Sequence, residues 1–163
     1  MNDSSKRQPK PVVAMDVTAR TGSRYPAEFK GVVGTREKRA LADACGLTHY
    51  GVNLVHLPPG AWSSQRHWHS HEDEFVYILD GEVTLVTDAG EQKLTAGMSA
   101  GFPANCADGH HLINRSGRMA IYLEVGDRND DDKVDYPDID MKLEMRDGEY
   151  AFLHKNGKPY PTE

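Results

Sequence analysis

From about residue 51 the apolar residues gather into short runs closed by turn residues, not into the three-and-four spacing of an amphipathic helix. "GVNLVHL" stops at Pro58-Pro59-Gly60. "EFVYIL" stops at Asp80-Gly81 and "EVTLVT" follows at once, the signal of a tight hairpin. "TLVTDAGEQKL" turns at Asp88-Ala89-Gly90, and "GMSAGFP", "HHLINR" and "RMAIYLEVG" supply further strands, with Asn114–Gly117 between the last two. Strands at this spacing, nearly all joined by turns, predict an all-β antiparallel barrel or sandwich with its core over residues 51–126.

The flanks read differently. Residues 1–11, with charge, Gln and two prolines, predict a disordered tail. Residues 12–50 read as an N-terminal extension packed on the barrel, with one or two helical turns at "LADACGL". Residues 127–163 begin with the acidic loop "DRNDDDKVDYPDID" and close with a hairpin about Asn156-Gly157. "EFVYIL" is apolar on both faces and so is expected to be covered on both. The opposing sheet is one cover; a terminal segment or a second subunit is the other, and a homodimer is expected.

Length and composition narrow the class. A chain of 163 residues and 18.1 kDa suffices for one domain with its own core. A net charge of −6 offers nothing to nucleic acid or an anionic membrane surface, so neither is expected as a partner. The longest apolar runs, such as "FVYIL" and "AIYLEV", fall far short of the roughly 18–20 residues of a membrane helix. "MNDSSKRQPKP" lacks the apolar centre of a secretion signal, which makes the cytoplasm the default. There Cys45 and Cys106 are expected as ordinary thiols, with a disulfide as the alternative.

The candidate chemistry lies in "RHWHSHEDEFVYILDG". Side chains two apart on a strand share a face, so His67 and His69 can present two imidazoles to one point. Glu74, Val76 and Ile78 share a face of the next strand, and an inward face would carry Glu74 in beside them. "GHHLIN" offers His110 or His111, of which only one should enter, since adjacent residues face opposite sides. Three imidazoles and a carboxylate suit a divalent transition metal (Zn, Mn, Fe or Ni among them) and suit Ca or Mg badly.

At this point the chain resembles a known family. "G60-AWSSQR-H67-W-H69-SHED-E74-FVYILD-G81" is similar to the first motif of the cupin superfamily, with Gly60 one residue further upstream than the pattern. "G97-MSAGF-P103-AN-CADG-H110-HLI-N114" resembles the second motif. Asn105 stands where Gly is usual, and the loop before the histidine is two residues longer. The resemblance implies a cupin-type double-stranded β-helix, or jelly-roll barrel, and a metal held by His67, His69, Glu74 and His110; the spacing to Asn114 selects His110 over His111. The chain looks closest to a group of small single-domain cupins sharing "HWHSHEDEFVYILDGE", "GHHLINRS" and "DYPDID", some of which carry a sugar-phosphate isomerase label.

The neighbours are assigned by alternation. His71, Glu72 and Asp73 read as a surface turn between the ligand-bearing strands, with His69-x-His71 ligation in a shifted register as the alternative for His71. Trp68 reads as structural, with ligand stacking as the alternative. His111 should face away from the metal, and His49 and His56 read as sheet histidines. Tyr122 and Glu124 share a face of the last barrel strand. If that face lines the pocket, Glu124 is a candidate base beside Glu74. Arg36, Lys38 and Arg39 read as a solvated edge.

Three function classes follow for a site that binds a small molecule. One is an isomerase, lyase or epimerase in which the metal stabilises an enediolate of a sugar- or keto-acid-like substrate. A base near the metal is then required. The others are a metal-dependent dioxygenase and a non-catalytic ligand-binding module. A phosphorylated substrate meets a difficulty, because phosphate usually requires Arg, Lys or a helix N-terminus in the pocket. Arg66 alternates away from His67, Arg115 lies in a turn and Lys93 in a hairpin, which leaves only loops or a partner subunit to donate the charge.

Overall fold

Alternation settles which strand faces are buried. In the computed structural model, which describes residues 10–146 and 149–161, three antiparallel sheets are built from twelve strands. The five-stranded sheet runs β1 (Glu37–Ala40), β2 (Tyr50–Leu57), β9 (Ala120–Asp127), β4 (Glu74–Asp80), β7 (Ser99–Phe102). Facing it is a three-stranded sheet of β6 (Gly90–Thr95), β5 (Glu82–Thr87) and β8 (His111–Ile113). Between them lies the main core. Val55 and Leu57, Val76 and Ile78, and Ala120 and Tyr122 come from the first sheet; Val83, Leu85, Leu94 and Leu112 come from the second. This is the expected all-β jelly-roll barrel.

The hairpin between β4 and β5 turns through Gly81 at φ 76°. A side chain there would meet backbone, with a Cβ only 2.7 Å from the Met119 carbonyl oxygen. Glycine is required on both counts.

The flanks are more ordered than their composition suggests. Within the expected N-terminal extension, β1 pairs with β2 from Glu37↔His56 to Ala40↔Asn53 and so extends the barrel sheet upstream of residue 51. One short helix, α1 (Leu41–Ala44), follows it. The acidic segment carries β10 (Lys133–Tyr136), which pairs with both β3 (Trp68–His69) and β11 (Met141–Arg146); β12 (Glu149–Leu153) completes this four-stranded sheet. The C-terminal part is therefore a sheet built onto the strand that carries His69, not a loop and a lone hairpin. The turn after β12 does pass through Gly157 at φ 86°. A second core of Tyr25, Val33, Val134, Tyr136, Met141 and Tyr160 joins this sheet to the N-terminal segment. Of the expected tail, residues 1–9 lie outside the described residues.

The outward face of β4 is not covered by the described residues. Phe75, Tyr77 and Leu79 remain 43%, 38% and 45% exposed. Among the described residues no helix is long and apolar enough to cross a membrane. Cys45 and Cys106 are free thiols.

Candidate metal centre

Three strand contacts gather the site. His67 and His110 face one another in an antiparallel bridge, His110 N–H donating to the His67 carbonyl at 2.8 Å. His69 sits on β3, held by β10 on one side and by the Asn105 N–H donating to its carbonyl at 2.8 Å. Asn105 makes that contact from the left-handed region, φ 57°, a conformation Asn tolerates better than most residues. Glu74 enters from the first position of β4, on the same inward face as Val76 and Ile78.

The side chains then converge on one carboxylate oxygen. Glu74 Oε2 lies 2.9 Å from His110 Nε2, 3.4 Å from His69 Nε2 and 3.5 Å from His67 Nε2. One ligand atom each of His67, His69 and Glu74 falls within 4.8 Å of the others, as a shared ion requires. The opposite ring nitrogens are occupied. His67 Nδ1 is 2.9 Å from the Gln65 carbonyl, and His69 Nδ1 is 2.6 Å from Asp132 Oδ2. With the proton on Nδ1, Nε2 keeps its lone pair for a metal. The Phe102 ring stacks on His110 at 3.6 Å between centroids and fixes that imidazole. Three imidazole nitrogens and one carboxylate, with two rings oriented by backbone and carboxylate acceptors, fit a divalent transition ion.

Electrostatics agree with the geometry. Burial, the largest single influence on Glu74, pushes its carboxyl up. Hydrogen bonds from His110 and His67 and the nearby imidazoles outweigh it and hold Glu74 well below the ordinary carboxylate range. Burial pushes the His110 imidazole down. His69 differs: burial pushes it down, but Asp132, Glu74 and Glu72 together raise it. Asp132 shows the reverse balance and is lowered.

Several neighbours stand where alternation put them and others do not. His71 is exposed in the turn, and its Nδ1 reaches the Ser70 hydroxyl at 2.8 Å. Asp73 is exposed as well. Glu72 is not a surface residue: it accepts the Asn129 N–H at 2.8 Å and forms a second acidic group with His69 and Asp132. His111 is buried against Trp62 and hydrogen-bonds the Ser64 carbonyl, although it also borders the cavity described below. Arg66 points away from the ligands into a bidentate pair with Asp138. His49 is exposed, and His56 lies 3.5 Å from Arg39.

Two spaces adjoin the ligands. One, about 150 Å³, brings Arg36, Lys38, Tyr122 and Glu124 into the same cavity as His67, Glu74 and His110. The other, about 180 Å³, meets Trp68, His69, Leu85 and Cys106 beside Glu74 and His110. Trp68 thus borders a space next to the ligands. The inward face of β9 does line the first cavity, and Glu124 there accepts hydrogen bonds from Lys38 Nζ at 2.6 Å and Asn53 Nδ2 at 3.1 Å. Arg36 and Lys38 are not a solvated edge. "REKR" alternates, with Lys38 on the inner face and Arg39 paired outward with Glu37, a signal legible only once residues 37–40 are known to form a strand. Asp132 was also missed, because nothing in "DRNDDDKV" marks one aspartate as buried.

Known proteins match this chain in sequence and in fold. The model of the Cupin domain matches residues 53–126. A solved structure from Silicibacter pomeroyi, a sugar phosphate isomerase from a cupin superfamily, is 38% identical over 93% of this chain and 97% of its own, with a TM-score of 0.89. The chain belongs to the cupin superfamily. A second relative, a candidate sugar phosphate isomerase from Acidithiobacillus ferrooxidans, is 32% identical over 79% of this cupin and 82% of its own chain, TM-score 0.70. The polyketide cyclase RemF of Streptomyces resistomycificus, 19% identical over 74% of this chain and 80% of its own with a TM-score of 0.58, shares the fold alone. Comparison with curated proteins gives no match.

Proposed function

We propose that this cupin is a metal-dependent isomerase or lyase acting on a small sugar- or keto-acid-like metabolite. The observation that carries the reading is one cavity that joins His67, Glu74 and His110 to a carboxylate, Glu124, and a buried phenol, Tyr122, with His69 converging on Glu74 from the adjoining space. The two relatives described as sugar phosphate isomerases support the same class. A bound divalent ion would supply Lewis acidity toward a substrate carbonyl or hydroxyl. The protein's own groups do the rest. Glu124, oriented by Lys38 and Asn53, is the base positioned to take a proton from carbon beside that carbonyl. Glu74 is committed to the ligand set. Burial and the charge of Glu124 hold the Tyr122 phenol well above its ordinary value, so it stays a hydrogen-bond donor available to a bound substrate. A cavity of about 150 Å³ limits the substrate to a compact molecule.

The test begins with metal analysis of protein purified without added metal; absence of any transition metal refutes the site. Glu74→Gln should then strip the metal while the fold persists, and unchanged metal content refutes the ligand assignment. Turnover is read by proton NMR in D₂O with aldose and ketose phosphates and 2-keto acids, where exchange at the carbon beside the carbonyl is expected and should vanish in Glu124→Gln. Oxygen consumption with no such exchange would move the protein to the dioxygenase class. Metal without either activity would leave a binding module.

The assembly proposed with this reading is a homodimer in a reducing cytoplasm. Its support is the exposed row of Phe75, Tyr77 and Leu79, flanked in register by Val125 and Leu123 of β9, a hydrophobic face on a central strand. The unpaired thiols suit that compartment.

A further inference from the structure

The inward row of the five-stranded sheet runs Lys38, Val55, Tyr122, Ile78 across four strands. Lys38 has its carboxylate, Glu124, and Arg39 on the outer face has Glu37. Arg36 has none among the described residues. Its Nη1 donates to the Val33 carbonyl at 2.9 Å, and its Nε, like that of Arg39 on the outer face, is buried without an acceptor. In the same cavity the hydroxyl of Tyr122, a residue with no exposed surface, has no partner at full hydrogen-bond geometry among the described residues, although Ser63 lies close enough to interact with it. The charge of Arg36 reaches both phenols of the cavity, Tyr25 and Tyr122.

Unmet donors of this kind are costly, about 1–3 kcal/mol each, and proteins keep few of them. Here two border one cavity that also holds the metal ligands. Lys38 offsets Glu124, which leaves the Arg36 charge unbalanced at that end. A guanidinium with a buried, unmet Nε donor can recognise a planar or tetrahedral oxyanion.

We propose that Arg36, with the Tyr122 hydroxyl as a second donor, is an oxyanion-binding subsite, so that the substrate carries a carboxylate or phosphate. Arg36 holds that group while the oxygen-bearing end of the molecule faces His67, His69, Glu74 and His110. The inference rests on the cavity being the substrate site. It also removes the objection to a phosphorylated substrate raised by the sequence, because the missing cation comes from the segment before the barrel.

The test is isothermal titration of the protein as purified with inorganic phosphate and, separately, malonate. Saturable binding of at least one is expected, and the tighter of the two distinguishes phosphate from carboxylate recognition. Arg36→Gln should weaken it about tenfold or more with metal content unchanged. Arg39→Gln, on the outer face, should leave it unchanged. Arg36→Leu, which removes the fork and its unmet donor together, serves if the Gln variant does not fold. Equal affinity in the Arg36 variant and wild type, or no saturable binding of either anion, overturns the subsite. Glu74→Gln separates the two readings: loss of metal with anion binding retained supports both, whereas metal retained in Glu74→Gln defeats the ligand assignment and leaves the Arg36 result standing.

Discussion

Replacing Asp132 by Asn tests whether the ligand set is held by the residues behind it. Asp132 is 3% exposed and accepts from His69 Nδ1 at 2.6 Å, the His71 N–H at 2.8 Å and the Ser70 hydroxyl at 3.3 Å. Asn can retain one neutral acceptor toward His69 but loses the charge. A hydrogen bond to a charged group contributes about 1.5–3 kcal/mol and a neutral one about 0.5–1.5 kcal/mol. The difference, about 1–1.5 kcal/mol, corresponds to roughly tenfold weaker metal binding. That lies at the lower edge of the range for residues that orient a metal-bound imidazole.

The assay is competition of Zn²⁺ between the protein and a fluorescent chelator near neutral pH, with circular dichroism to check the fold. Affinity within about twofold of wild type would refute the reasoning. A pH arm adds a second check on metal-stripped protein. Asp132 is lowered, so its contribution to stability is present above the ordinary aspartate value, about 4, and is lost as pH falls through the folded value. His69 is raised, so its contribution is full below the ordinary histidine value, about 6.5, and is lost as pH rises through the folded value. The Tm difference between wild type and Asp132→Asn should therefore be greatest between about pH 4 and 6.5 and shrink above. A difference that grows with pH would contradict the ion pair.

Asn114 is fully buried and its side chain makes four hydrogen bonds, donating to the Leu57 and Arg118 carbonyls and accepting from the Ser116 N–H and hydroxyl. Asn114→Ala should cost about 3 kcal/mol, a Tm fall of roughly 6–12 °C by calorimetry, and a loss under about 1 kcal/mol would show that the bonds contribute little. Gly81→Ala should cost about 2–4 kcal/mol in chemical denaturation, because its Cβ meets backbone at 2.7 Å. Gly90→Ala, which meets nothing within 4 Å, should cost distinctly less; equal losses would leave φ alone responsible. Tyr77→Glu should convert dimer to monomer in light scattering with metal content intact, and a monomeric wild type would refute the dimer outright.

The sequence by itself determined the barrel. Turn residues close each run, and period-two alternation assigns Val76 and Ile78 inward with Glu74, so strand identity and the facing side are properties of local pattern. His67, His69 and Glu74 were legible for the same reason, since the chain between them is short and its strands regular. What alternation cannot state is which element lies across the cavity. Arg36 and Lys38 stand in a segment with no strand signature, and only pairing of Glu37–Ala40 with β2 turns them inward. Asp132 lies in an acidic run that composition reads as solvent-facing, and only the pairing of β10 with β3 brings it beneath His69. His67, His69 and Glu74 are near neighbours in the chain, whereas His110 and the groups behind and opposite them come together through contacts made across long stretches of chain, which local spacing does not carry.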